Sequence, residues 1–191
     1  MNIIYLVRHG ETDANRNYIV QGRIDNPLNQ HGLEQAKITG EYLKSHDEHF
    51  DLIVASPLKR AYESAKIICK TLSDQKTILT QSSFIERNFG DYDGKKINED
   101  YIEMIKLGSI PNMEKNDVLE ARVMNALQEL CDKHPDKKIL VVTHSHVIKA
   151  AFASLVPGFQ YSAFLGNCSI NIIHFDGKKF TAGSYNIDTQ N

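Results

Sequence analysis

Three short stretches of the chain place arginine and histidine where an apolar run stops. Arg8-His9-Gly10-Glu11-Thr12 follows one run, Ser56-Pro57-Leu58-Lys59-Arg60 a second, and Thr143-His144-Ser145-His146 a third. Guanidinium forks match phosphoryl oxygens bidentately and stay charged through a reaction. A neutral imidazole nitrogen can attack phosphorus and carry the group covalently. His9 is the candidate nucleophile, with Arg8, Arg60 and His144 holding charge on the equatorial oxygens. Glu86, in Phe84-Ile85-Glu86-Arg87-Asn88-Phe89-Gly90, is the candidate acid for the leaving alkoxide and base for water. None of these residues is diagnostic singly. An isolated arginine is more often a surface residue, and Glu86 alone is an ordinary loop carboxylate. Their meaning depends on whether the fold brings the three stretches together.

The elements around them say that it does. Residues 2–7 and 138–143 read as buried strands, β-branched and uninterrupted, with shorter strands at 51–55 and 77–81. Apolar residues near the 3.6 period predict helices over 32–45, from 56–57 to about 72, over 118–134 and over 147–155. The stretch from residue 10 to 29 is polar and reads as loop. Residues 168–175 and 179–184 predict a hairpin around Asp176-Gly177, and the last six residues are expected to fray. Strands alternating with helices imply an α/β three-layer sandwich, a mainly parallel sheet with helices on both faces. Residues 88–116 are polar and glycine-dotted, which fits a lid inserted into one domain spanning 1–191. In such sheets ligands gather beyond the carboxyl ends of the strands, where all three stretches fall.

The bulk composition narrows the partners. A formal net charge of −2 over 191 residues supplies no basic field for nucleic acid or an anionic membrane. The N-terminal apolar run is too short for a secretory signal or a membrane span. Cys69, Cys131 and Cys168 are odd in number and widely spaced, so packing roles in a reduced, cytoplasmic compartment are expected. His31, His46, His49, His134 and His174 read as helix-end or strand residues without a site role.

Taken as a set, the motifs resemble the histidine phosphatase superfamily, the phosphoglycerate-mutase-like group and its short broad-specificity phosphatases. Arg8-His9-Gly10-Glu11-Thr12 matches its signature, followed by Asn15, by residues 21–28 and by Gly32. Residues 56–61, 84–94, 141–144 and 167–170 match the later blocks in order. The resemblance implies a phosphohistidine on His9, Glu86 as the acid, and Arg8, Arg60 and His144 around the phosphoryl group. Asn15, Gln21, Gly22 and Ser145 become phosphate or substrate contacts. No cofactor and no metal is implied, the partner is a small phosphorylated metabolite, and the oligomeric state is left open. Ser145 and His146 stand where the family usually has glycine, and Glu114 sits where a Gly-Glu-Ser segment is often found.

Phosphatase and mutase share the phosphohistidine. Only 58 positions separate Glu86 from His144, and residues 95–116 contain no arginine, which favours hydrolysis over a cofactor-dependent phosphoglycerate mutase. His144 and His146, two apart, would face the same way on a strand and suggest a metallohydrolase, but arginine neighbours would repel a divalent ion. A phosphate-binding module without chemistry would be expected to lose the nucleophile or the acid first. Tyr92, Ile97, Tyr101, Ile102 and Met104 suggest a partly apolar lid, whereas Lys95 and Lys96 suggest a second anionic group on the substrate.

Overall fold

The computed structural model describes residues 1–73 and 76–190. Its centre is a six-stranded sheet in the order β3-β2-β4-β1-β5-β6. β1 (Asn2–Arg8), β4 (Lys138–Thr143), β2 (Leu52–Ala55) and β3 (Leu79–Thr80) run parallel. β5 (Ile170–Phe175) lies antiparallel to β1 and pairs with β6 (Phe180–Ala182) in the hairpin expected around Asp176-Gly177.

The two-residue period of β1 and β4 divides the core into two layers. Ile4, Leu6, Ile139 and Val141 point into a cluster with Leu127 of α5 (Asn116–Lys133) and Ile148 of α6 (Ser145–Leu155). Tyr5, Val7, Leu140 and Val142 point the other way, against α2 (Gln30–Ser45) and α3 (Lys59–Thr71). Strands buried on both faces carry continuous apolar runs for this reason. The fold is the α/β sandwich read from the sequence.

Four local readings differ. The 10–29 stretch contains a short helix, α1 (Asp13–Arg16), because Thr12 and Asn15 close a capping box within one turn. The helix after β4 begins at Ser145, not 147, directly beyond His144. β3 is only two residues long and both are exposed, since it is the sheet edge. The C-terminal tail does not fray over its described part: Ile187 bridges Ile170, and the Thr189 hydroxyl bonds Thr39 at 2.7 Å. Asn191 lies outside the described residues.

Residues 88–116 fold back on the sheet rim around α4 (Glu99–Leu107), which Asn98 caps at its start and Gly108, left-handed at φ 64°, ends. The two ends of the segment meet, with Glu114 N–H donating to the Asn88 carbonyl at 2.9 Å. Its middle is tied to the loop after α1: Ile97 N–H donates to Tyr18 O, and Val20 N–H to Lys95 O.

Candidate active site

The parallel register brings the three chemical stretches to one rim. Arg8 at the end of β1 lies opposite Thr143 at the end of β4, and Ala55 at the end of β2 lies opposite Val142. His9, Ser56 and His144 are therefore the first residues beyond three neighbouring strands. The turn after β1 is held by close contact with α2: a Cβ on Gly10 would stand 2.4 Å from Gly32 O, and one on Gly32 would stand 2.1 Å from Glu11 O. Only glycine fits at either place.

His9 is buried, and its ring orientation fixes its tautomer. Nδ1 lies 2.7 Å from the Gly10 carbonyl, an obligate acceptor, so Nδ1 carries the proton. Nε2 then holds the lone pair, and Arg60 Nε donates to it at 3.2 Å. Burial, then the Arg60 and Arg8 guanidiniums, hold His9 well below the ordinary imidazole range, so the ring is neutral. That is the state a nucleophile needs.

Arg60 stands near the start of α3, whose first-turn Lys59 N–H is served at 2.7 Å by Asp25 Oδ1, in place of the expected Ser56-Pro57 start. Its fork also donates to Ile24 O and Gly22 O, each at 2.8 Å, which orients the guanidinium toward His9. Burial lowers Arg60 to about 10, so it stays a cation at neutral pH. Arg8 donates from Nη1 to Leu165 O, while its buried Nε has no partner among the described residues.

The His144 ring packs 5.2 Å from the His9 ring, centroid to centroid, and its Nε2 lies 2.6 Å from Ser56 Oγ. Its Nδ1 is buried, with no partner among the described residues. Burial, Arg60 and His9 keep this imidazole well below its usual range as well.

Glu86 is buried across the same space. Its Oε1 accepts from Arg87 N–H at 2.8 Å and its Oε2 from His146 N–H at 3.4 Å. Burial raises its pKa, against the lowering effect of these N–H groups, Arg60 and Arg8. A carboxyl pushed upward in this way can enter a reaction protonated.

Arg8, His9, Asn15, Gln21, Glu86 and Ser145 all line one cavity of about 290 Å³. Arg60 and His144 are not among the residues lining it, but both touch His9, Arg60 through its Nε and His144 through its ring. Gly22 is placed differently from its expected ligand role: its N–H is taken by Asp93 Oδ1 at 2.6 Å, and its carbonyl anchors Arg60. Gln21 donates to Thr12 Oγ1 at 2.6 Å and accepts from Asn26. Asn15 Oδ1 accepts from Thr12 N–H and from Asn167 Nδ2.

The His144/His146 pair does not form a common face. The strand ends at Thr143, so His146 falls in the first turn of α6 and packs 4.8 Å from the Phe89 ring and 5.4 Å from Tyr161. Among the described residues, no group of three or more His, Cys, Asp or Glu could hold a metal ion. Glu114 is occupied by Arg122, in two 2.8 Å contacts, and does not line the cavity. Ile97, Tyr101 and Ile102 do line it, joined by Ile19, Val20, Phe89 and Ile105; Tyr92, Met104, Lys95 and Lys96 do not.

Sequence reasoning assigned no role to Ser56, Arg87 or Lys149. Arg87 is fully buried and donates to Glu114 O and Asn116 Oδ1, fastening the end of the 88–116 segment beside Glu86. Lys149 lies within the apolar run of α6, and a cation in that run was the available signal.

The model of the histidine phosphatase superfamily, branch 1, matches residues 4–188. The chain belongs to the histidine phosphatase superfamily. Its superfamily relatives include both phosphatases and phosphoglycerate mutases. The uncharacterized phosphatase PhoE of Bacillus subtilis is 38% identical, over 99% of this chain and 96% of PhoE. The 2,3-bisphosphoglycerate-dependent phosphoglycerate mutase of Thermoplasma acidophilum is 32% identical, over 96% of this chain and 93% of the mutase. A phosphoserine phosphatase mutant from Entamoeba histolytica, solved with phosphoserine, superposes with a TM-score of 0.86 at 26% identity, over 100% and 98% of the two chains. Within this family setting phosphatase activity is supported. No helix among the described residues is long and apolar enough to cross a membrane.

Proposed function

We propose that the chain is a metal-independent phosphoric monoester hydrolase acting on small phosphorylated metabolites through a phosphohistidine on His9. The observation that carries this reading is the pairing of a neutral His9, its Nε2 lone pair turned toward Arg60, with a buried Glu86 of raised pKa on the same cavity.

In the first step His9 Nε2 forms a bond to phosphorus and the ester P–O bond breaks. Glu86 gives its proton to the departing alkoxide oxygen. In the second step the Glu86 carboxylate takes a proton from water, whose oxygen bonds to phosphorus as the P–N bond breaks. Inorganic phosphate leaves, and His9 and protonated Glu86 are restored. Arg8, Arg60 and the His144 ring stabilise charge on the phosphoryl oxygens. The Ser145 end of α6 adds the positive end of a helix dipole. Residues 88–116 act as the lid that limits water and shapes the leaving-group space.

Cofactor-dependent phosphoglycerate mutase activity is the second reading, favoured by the Thermoplasma relative. Against it, the 95–116 stretch has no arginine, and Lys95 and Lys96 lie outside the cavity. The deciding experiment measures phosphate release from a panel of phosphomonoesters in EDTA, with 3-phosphoglycerate plus its bisphosphate and His9→Ala included. EDTA-resistant release that is lost in His9→Ala supports hydrolysis. Isomer formation exceeding phosphate release makes the protein a mutase, and loss in EDTA overturns the metal-free mechanism.

A further inference from the structure

α6 carries one lysine in an otherwise apolar stretch, Val147-Ile148-Lys149-Ala150-Ala151-Phe152. Lys149 is 8% exposed, and that residual surface opens on the same cavity as Arg8, His9 and Glu86. Its Nζ donates to Tyr161 O at 2.8 Å, and among the described residues no carboxylate lies within ion-pair distance. An ammonium has three donors, and among the described residues Tyr161 O is the protein acceptor it has, which leaves donor capacity for a ligand in the cavity it lines.

A buried cation with no carboxylate in contact is costly, and an anion entering the cavity offsets that cost. The two neighbouring rings do not compete for that anion. The Tyr161 hydroxyl is turned away to Glu120 at 3.0 Å, and His146 Nδ1 faces Arg87. The lid side of the cavity is apolar, formed by Phe89, Ile97, Tyr101, Ile102 and Ile105. Burial and then Arg8 lower Lys149 to about 8, against the raising effect of Glu86 across the cavity, which leaves it charged at neutral pH.

We propose that Lys149 is a specificity residue that binds a carboxylate on the leaving-group side of the phosphate ester. This rests on the phosphatase reading of the cavity. The substrates selected are compact phosphomonoesters bearing a carboxylate, and the second cation comes from α6 instead of the lid lysines.

The test compares kcat/KM for matched esters with and without the carboxylate. O-phosphoserine is set against O-phosphoethanolamine, and 3-phosphoglycerate against glycerol 3-phosphate, with 4-nitrophenyl phosphate as reporter of the basic chemistry. The wild-type protein should prefer the carboxylated member of each pair. In Lys149→Met and Lys149→Gln that preference should shrink by about 10- to 100-fold, the worth of a charge-assisted hydrogen bond, and Lys149→Arg should restore part of it. The ratio, not the absolute rate, is the readout, and thermal melts of each variant confirm that it folds. A wild type without the preference, or variants that keep it, would overturn the assignment while 4-nitrophenyl phosphate turnover leaves the phosphatase reading standing. A wild type that hydrolyses none of the esters would overturn both.

Discussion

Arg60 Nε donates to His9 Nε2 at 3.2 Å, so a guanidinium sits against the nitrogen proposed to attack phosphorus. The same fork is anchored on Gly22 O and Ile24 O. Lysine cannot reproduce three such directions from one point charge. Arg60→Lys should lower kcat by about 10²- to 10³-fold while the protein still folds. Steady-state kinetics beside a thermal melt checks this, and a kcat within a few-fold of wild type would remove Arg60 from the phosphoryl site.

Ser56 is predicted to position His144. Leu58 N–H points at Ser56 Oγ from 3.4 Å, which leaves the hydroxyl proton free to bond His144 Nε2 at 2.6 Å. With the hydroxyl as donor, His144 carries its own proton on Nδ1, which has no partner among the described residues. Ser56→Ala should reduce kcat by roughly tenfold, the cost of about one hydrogen bond. Ser56→Thr should retain most of it. ¹⁵N NMR of the imidazoles should show the His144 tautomer distribution change in Ser56→Ala, a shift that a packing defect alone would not produce.

Burial raises the Glu86 pKa above its unfolded value, so the folded state holds this proton more tightly than the unfolded state does. Ionisation therefore opposes folding at pH above the unfolded value, and the penalty disappears as pH falls below it. Glu86→Gln should raise the melting temperature at neutral pH, with the gain shrinking on acidification. The same variant should lose about 10²- to 10⁴-fold in turnover of esters with poor leaving groups. For the wild type, turnover of those esters should decline as pH rises through the Glu86 pKa. A variant less stable than wild type at neutral pH would contradict this account of the carboxyl.

A Cβ on Gly32 would stand 2.1 Å from the Glu11 carbonyl oxygen, in the turn that carries His9. Gly32→Ala should destabilise the protein by about 1–3 kcal/mol through overpacking. It should also lower activity, because the displaced backbone is that of residues 9–11. Urea unfolding and kcat measured on the same preparation test both effects together.

Much of this arrangement was legible in the chain itself. Uninterrupted runs such as Lys138–Thr143 mark buried parallel strands, and the strand-end rule then collects Arg8, His9, Arg60 and His144 at one rim. What escaped depended on contacts between distant segments. The Gly22 N–H is consumed by Asp93, a residue 71 positions away, so its expected role as a ligand became an anchoring one. His146 parted from His144 because helix α6 begins immediately after β4, a boundary that periodicity places only to within a residue or two. The role of Glu114 was open in the sequence, and it is decided by Arg122, eight positions on, which occupies both its oxygens. Lys149 was visible as a letter, but only the fold places it on the cavity wall, held by the Tyr161 carbonyl.

The phosphohistidine is the central claim, and trapping it is the most direct test. The protein would be mixed with a fast-leaving aryl phosphate in EDTA, quenched in alkali to preserve a phosphoramidate, and examined by intact and peptide mass spectrometry. One phosphoryl group on the peptide containing His9, formed and lost at rates that match turnover and absent in His9→Ala, is the result expected. Turnover without that adduct, or with an adduct on another residue, would contradict it.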